Sequence, residues 1–161
     1  MANSAKGLGK GSDSAARLSP SAFLDIPRFF HHSPREMDSK KLAQLCRDLA
    51  ENKKAEDVVI LDVRKISDVT DFFVIASAGS EPQLRAIQNE LLDTLHRDHG
   101  IQPHATDGQS QGNWIVADFF DVIVHLMRPE VRERYDLEGL WSDAPRVPRP
   151  RKKTAKSAAE D

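Results

Sequence analysis

The sequence predicts a single α/β (α+β) domain: one mixed β-sheet with helices packed on it. Three observations carry this. Trp114–Asp118 and Asp121–Met127 are runs rich in β-branched and aromatic residues, separated only by Phe119–Phe120, which is the spacing of a β-hairpin. Val122, Ile123 and Val124 are consecutive and apolar, as in a strand covered on both faces. Helix-like and strand-like patterns follow one another as α-β-β-α-β-β-β-α within 161 residues, a length that suits one domain with a real core rather than two.

The elements follow in order. Residues 1–36 are rich in Ser, Ala, Gly and Lys, lack periodicity and read as a flexible N-terminal extension. No apolar core follows the first basic residues, so this is not a secretory signal. Arg17, Arg28 and Arg35 among many Ser and Ala fit an organelle transit peptide, while Asp13 and Asp25 argue against one. Phe23-Leu24, Ile26 and Phe29-Phe30 suit a short docking segment, and Met37 would serve as a later translation start. Asp38 or Ser39 can cap a first helix whose stripe is Leu42, Leu45, Leu49 and Ala50, with Lys40, Lys41, Arg47, Asp48 and Lys53 on the other side. Asp57–Val63 is a first strand whose apolar run predicts a central position. A polar loop, Arg64–Asp71, leads to a second strand, Phe72–Ser77. Ser80 caps a second helix with Pro82 in its first turn, a stripe of Leu84, Ile87, Leu91 and Leu95, and Gly100 as its stop. That helix should cross over to a parallel neighbour. Ile101–Thr106 is an expected third, edge strand, and Asp107–Gly112 a loop into the hairpin. Pro129 ends the last strand and opens a final helix carrying Val131, Tyr135, Leu137, Leu140 and Trp141. From Pro145, three prolines and a run of Arg and Lys predict a basic, disordered C-terminal tail over 145–161, leaving the domain at 37–144.

Composition narrows the function classes. The net charge of -2 gives no global bias toward nucleic acid or membrane, and no run is long and apolar enough to span a bilayer. The one cysteine, Cys46, excludes an internal disulfide framework and sits in a helical packing pattern. Gly79-Ser80 at a strand-to-helix junction is a weak phosphate signal, because most such junctions only cap the helix and no longer glycine motif is present. Asp118 and Asp121 straddle a turn instead of sharing one strand face, so paired carboxylates for magnesium are missing there. His96, His99 and His104 lack a convincing fourth zinc ligand, and His125, alone on a strand, suits a satisfied structural role. Asp62, Asp68 and Asp71 suit loop turns. The chain therefore offers apolar and aromatic recognition surface and no catalytic constellation: no enzyme, no cofactor and no metal are expected. Trp141 is open between a core and an interface role.

Two blocks carry a resemblance: DVVILDVRKISDVTDFFVIASAGSEPQLRAI, residues 57–87, and GNWIVADFFDVIVHLMRPEVRERYDLEGLW, residues 112–141. With their spacing, they resemble the Iojap-type ribosomal silencing factor family across most of the domain. The resemblance implies a nucleotidyl-transferase-like fold without the catalytic residues. It implies a translation repressor that binds the large ribosomal subunit through ribosomal protein fourteen on the intersubunit face and sterically blocks joining of the small subunit. The docking residues carried over are Trp114, Asp118, Tyr135, Leu137, Glu138, Leu140 and Trp141. Trp114, Tyr135, Leu140 and Trp141 would be desolvated anchors, while Asp118 and Glu138 would meet basic groups on the partner. Phe120 stands where the family usually has Gly, which predicts a different turn and an extra ring beside Trp114. The rival readings are a nucleotide binder or nucleotidyl transferase using Gly79-Ser80 with Asp62, a ribosome assembly factor, and a homodimer pairing through the Trp141 face. The basic tail would add peripheral rRNA contacts. The expected compartment is a bacterial cytoplasm or an organelle matrix.

Overall fold

The structure, a computed structural model, describes residues 37–151. Its elements are α1 (Ser39–Asn52), β1 (Glu56–Asp62), β2 (Phe72–Ser77), α2 (Glu81–His99), β3 (Ala105–Asp107), β4 (Trp114–Asp118), β5 (Val122–Met127), α3 (Pro129–Tyr135) and α4 (Leu137–Leu140). The five strands form one sheet in the order β1-β2-β5-β4-β3. The β2–β5 pair is parallel and the other pairs are antiparallel, so the sheet is mixed as expected.

The two-residue period of the strands sorts the core. Phe72, Val74 and Ala76 of β2, Val122, Val124 and Leu126 of β5, and Ile115 and Ala117 of β4 point to one face. There they pack with Leu42, Cys46 and Leu49 of α1 and Leu84, Ile87, Leu91 and Leu95 of α2. Ile75, Met127, Leu61 and Val63 belong to a second cluster on the other face, joined by Phe73, Trp114, Val131, Leu137 and Trp141. The hydroxyl of Ser80 accepts the Gln83 amide, Pro82 lies in the first turn, and Gly100 ends α2 in the left-handed region at φ 66°. All four residues of the predicted α2 stripe are fully buried. The connection through α2 carries the chain from β2 to β3 at the far edge, and β4 and β5 then fold back between them.

Several expectations change. β1 is an edge strand, not a central one. Its apolar run is explained by cover on both faces, with Val58 and Ile60 in one cluster and Val59, Leu61 and Val63 at the other; its edge is paired as well, Asp62 N–H donating to Pro145 O at 2.9 Å, Val147 N–H donating to Ile60 O at 2.9 Å, and Leu61 bridging Arg146. The basic tail therefore begins as an addition to the sheet through Val147, a place that tolerates Pro because an edge needs few donors. Pro145 to Val147, expected in the tail, thus pair with β1. The rest of the tail, 152–161, and the N-terminal extension, 1–36, lie outside the described residues. Arg47, expected on the solvent side of α1, is 3% exposed. The helix buries Ala43, Cys46, Arg47 and Ala50 as one stripe alongside Leu42 and Leu49, while Leu45 packs only at its margin. β3 is three residues long and starts at Ala105 rather than Ile101. The single expected final helix is two, broken at Asp136 with φ 40°.

Phe120 takes the left-handed conformation that a glycine would have taken, at φ 68°. The turn is held by Asp118, whose carboxylate accepts the Phe120 amide at 2.8 Å. The Phe120 ring lies on His104 at 4.3 Å and not beside Trp114, which sits at the opposite end of β4.

Candidate protein-docking face

The second sheet face is only partly covered, and its covering is a hook made by α3 and α4. Pro129 starts α3, and Asp136 turns the chain back in the left-handed region. The Asp136 carboxylate accepts the Gly139 amide at 3.0 Å and so caps α4. A Cβ on Gly139 would collide with that carboxylate, so a side chain there would push the cap out of place.

Glu138 pins the hook. Its Oε1 accepts Arg132 Nε at 2.7 Å, and its Oε2 accepts Arg146 Nη2 at 3.1 Å. Arg132 also donates from Nη1 to the Ser77 hydroxyl at 2.9 Å. α3, α4 and the segment along β1 are thus joined through one carboxylate, and Arg132 extends the link to the end of β2. Charged hydrogen bonds of this kind are about twice as strong as neutral ones, and Arg132 and Glu138 are 13% and 22% exposed in their side chains. Each Glu138 oxygen thus already accepts a donor within the molecule, and the side chain stays partly exposed.

Across the sheet runs a chain of rings. Tyr135 lies 5.0 Å from Trp114, Trp114 lies 5.9 Å from His125, His125 lies 5.5 Å from Phe73, and Phe73 lies 5.2 Å from Trp141. These tilted pairs cross β4, β5 and β2 from α3 to the end of α4, with offsets typical of favourable aromatic contacts. Trp114 Nε1–H donates to His125 Nδ1 at 3.1 Å. Burial pushes His125 down to about 4, so the imidazole is neutral at pH 7 and its own proton sits on Nε2.

Four of the seven expected docking residues come together here: Trp114, Tyr135, Leu137 and Trp141. Trp114, Leu137 and Trp141 are half-buried, so their area is shared between the fold and the outer surface. Tyr135 is 55% exposed, and Leu140 beside them is 73% exposed. Trp141 is thus neither wholly core nor free. Asp118 stands apart, about 13 Å along β4 from Trp114, and bonds its own turn. The sequence reading missed Arg132, Arg146 and Phe73. Phe73 had a readable signal in its alternation with the buried Phe72 and Val74.

The rival nucleotide site is not assembled. Asp62 pairs with Phe72 at the start of β2, while Gly79 follows its end, about 23 Å away. Arg64 holds the Asp62 carboxyl below its usual range, with Nη2 at 2.6 Å from Oδ2. The Gly79 amide donates to Gln83 Oε1 at 3.1 Å, so the junction serves its own helix. His104 stacks on Phe120, His96 contacts Gln102, and no group of three potential metal ligands occurs among the described residues. The Cys46 thiol is fully buried and is pushed up to about 12.

Comparison with known proteins decides the family. The family described as "Ribosomal silencing factor during starvation" matches residues 36–161. The chain belongs to that family. The ribosomal silencing factor of Halalkalibacterium halodurans is 40% identical over 111 residues, covering 69% of this chain and 94% of that protein. The chloroplastic protein Iojap of Arabidopsis thaliana is 34% identical over 103 residues, covering 63% of this chain and 42% of that protein. A crystal structure from Bacillus halodurans, 37% identical, superposes with a TM-score of 0.60 and covers 68% of this chain and 99% of its own. As a ribosomal silencing factor, the protein is a ribosome-associated regulator of translation.

Proposed function

We propose that this silencing factor docks on the large ribosomal subunit through the Trp114–Tyr135–Leu140–Trp141 surface, against ribosomal protein fourteen, and so blocks joining of the small subunit. The observation that carries the reading is the hook: Tyr135 and Leu140 are held outward on two short helices whose backbone is fixed by Asp136, Glu138 and Arg132. Exposed apolar side chains on a rigid support lose little conformational freedom on binding, which favours a specific protein contact. Tyr135 stacked on Trp114 brings a rigid ring with a polar hydroxyl to the surface. Glu138 acts by holding the hook, and Asp118 by holding the β4–β5 turn. The basic tail beyond Arg151 adds phosphate contacts to rRNA around this protein contact. The chemistry is binding alone, with no cofactor. The compartment is that of the ribosome it serves, a bacterial cytoplasm or an organelle matrix.

Co-sedimentation with purified large subunits, with Leu140→Ala run alongside, tests the reading. Leu140 lies outside both buried clusters, so the variant should fold as the parent does. Truncating an anchor should weaken binding by about 1–2 kcal/mol, roughly ten-fold. Equal pelleting of parent and variant would remove Leu140 from the contact.

A further inference from the structure

Residues 145–149 form a strap that crosses the edge of β1 from one sheet face to the other. Ala144, just before it, is buried in the cluster beneath the hook, whereas Val147 packs against the cluster beneath α1 and α2. Between them the backbone pairs with β1, with Asp62 N–H on Pro145 O and Val147 N–H on Ile60 O. The pairing stops there. Pro148 has no N–H to continue it, and β1 is bulged between Glu56 and Val59, with Asp57 at φ 49°. The strap borders a cleft of about 510 Å³ that lies between Arg146 and Arg149, the hook residues Arg132 and Glu138, and the start of β1.

Two ion pairs hold the strap, one on each face. Arg146 Nη2 donates to Glu138 Oε2 at 3.1 Å, which ties the strap to the hook. Arg149 Nη2 pairs with Glu51 Oε1, which ties it to α1. Among the described residues, neither Arg149 nor Glu51 has a hydrogen bond or ion pair to α3 or α4. Beyond Val147 no backbone bond to β1 holds the strap down, so its far end depends on the Arg149–Glu51 pair. The covalent route from that pair to the hook is short: back along the strap to Arg146, and from Arg146 to Glu138.

We propose that Glu51 and Arg149 are positioning residues for the hook, acting across the edge of the sheet through the strap. With Arg149 held on α1, the strap lies on β1 and presents Arg146 to Glu138. With Arg149 released, the strap lifts from β1, Arg146 leaves, and Glu138 keeps Arg132 alone. The setting of Tyr135 and Leu140 is in this way governed in part from α1, on the opposite face. The inference rests on the docking reading above only for its consequence, that a loosened strap weakens binding to the large subunit. The coupling itself is a property of the free protein.

Native-state amide exchange of the full chain tests this without the ribosome. The Asp62 and Val147 amides report on the strap, the Leu140 and Trp141 amides on the hook, and the amides in the middle of α2 on the core. Arg149→Met removes the pair with Glu51 and leaves every bond of the hook in place. Strap and hook amides should then both exchange roughly two- to five-fold faster, the range that an exposed ion pair supports, with α2 at the parent rate. The charge-swapped double variant Glu51→Arg/Arg149→Glu should return both sets to the parent rates. A hook that exchanges at the parent rate in Arg149→Met would overturn the proposal. So would equal acceleration of strap, hook and α2, which would make the pair a general stabiliser, or a charge swap that restores neither set. If the coupling holds and Arg149→Met still binds large subunits as tightly as the parent, the positioning of the hook stands and the docking reading fails.

Discussion

His125 shows how one side chain ties fold to surface. It accepts the Trp114 indole and sits between Trp114 and Phe73 in the ring chain. Its folded pKa, about 4, lies below the ordinary 6.5, so only the unfolded chain takes up the proton as pH falls between those values. Its contribution is complete above 6.5 and is lost as pH drops toward 4, by up to about 3 kcal/mol before allowing for partial exposure. His125→Gln keeps an acceptor for the indole and removes the titration. Urea unfolding followed by tryptophan fluorescence should show a shallower loss of stability in that variant between neutral pH and about pH 5. An unchanged slope would place the acid sensitivity elsewhere. Cys46 gives a second residue-scale expectation: with the thiol raised to about 12 and fully buried, it should stay unmodified by thiol reagents in the native protein and react only on unfolding. The sequence reading made both residues structural, and for Cys46 the helical spacing was sufficient. For His125 the partner was hidden, because the indole reaches it diagonally across two strands whose register only the fold sets.

At the scale of elements, legibility followed locality. β2, α2 with its cap and stop, and the β4–β5 hairpin were readable because short-range signals determine them: Ser80, Pro82, Gly100 and two strand runs at hairpin spacing. The place of β1 was not readable, since its covering partner is Pro145–Val147, far along the chain in a stretch whose prolines and charges suggest solvent. The break between α3 and α4 was also hidden, because Asp136 is not a residue type that announces a left-handed turn as strongly as Gly does. Removing the Arg132 guanidinium in Arg132→Met leaves the Ser77 hydroxyl and one Glu138 oxygen without their donor. Stability should fall by about 1–3 kcal/mol in urea titration, and Arg146→Met, whose own side chain is far more exposed than that of Arg132, should cost less. Equal losses would mean that the pinning is not centred on Arg132. At the hairpin tip the expectation runs the other way. Phe120→Gly relieves a side chain held at φ 68° and should raise stability by about 1 kcal/mol, since the ring is 56% exposed and stacks on His104 at the surface. A loss instead would show that the His104 stack outweighs the backbone strain.

For the whole molecule, the arrangement separates two jobs. α1 and α2 cover one face of β1, β2, β5 and β4 and build the core, while the other face carries the ring chain and the hook. Most of the docking residues that the family resemblance implies lie in one region, and they differ there in burial and bonding. Tyr135 and Leu140 are exposed, Trp114, Leu137 and Trp141 are shared with the fold, and Glu138 and Asp118 are engaged within the molecule. The central claim is that the outward side chains of the hook make the contact with the large subunit. Co-sedimentation of the full chain with isolated large and small subunits, using parent and the Tyr135→Ala/Leu140→Ala double variant, tests it most directly. The account predicts that the parent pellets with large subunits alone, and that the variant unfolds at close to the parent's urea midpoint but binds roughly a hundred-fold or more weakly. A double variant that still pellets like the parent would contradict it.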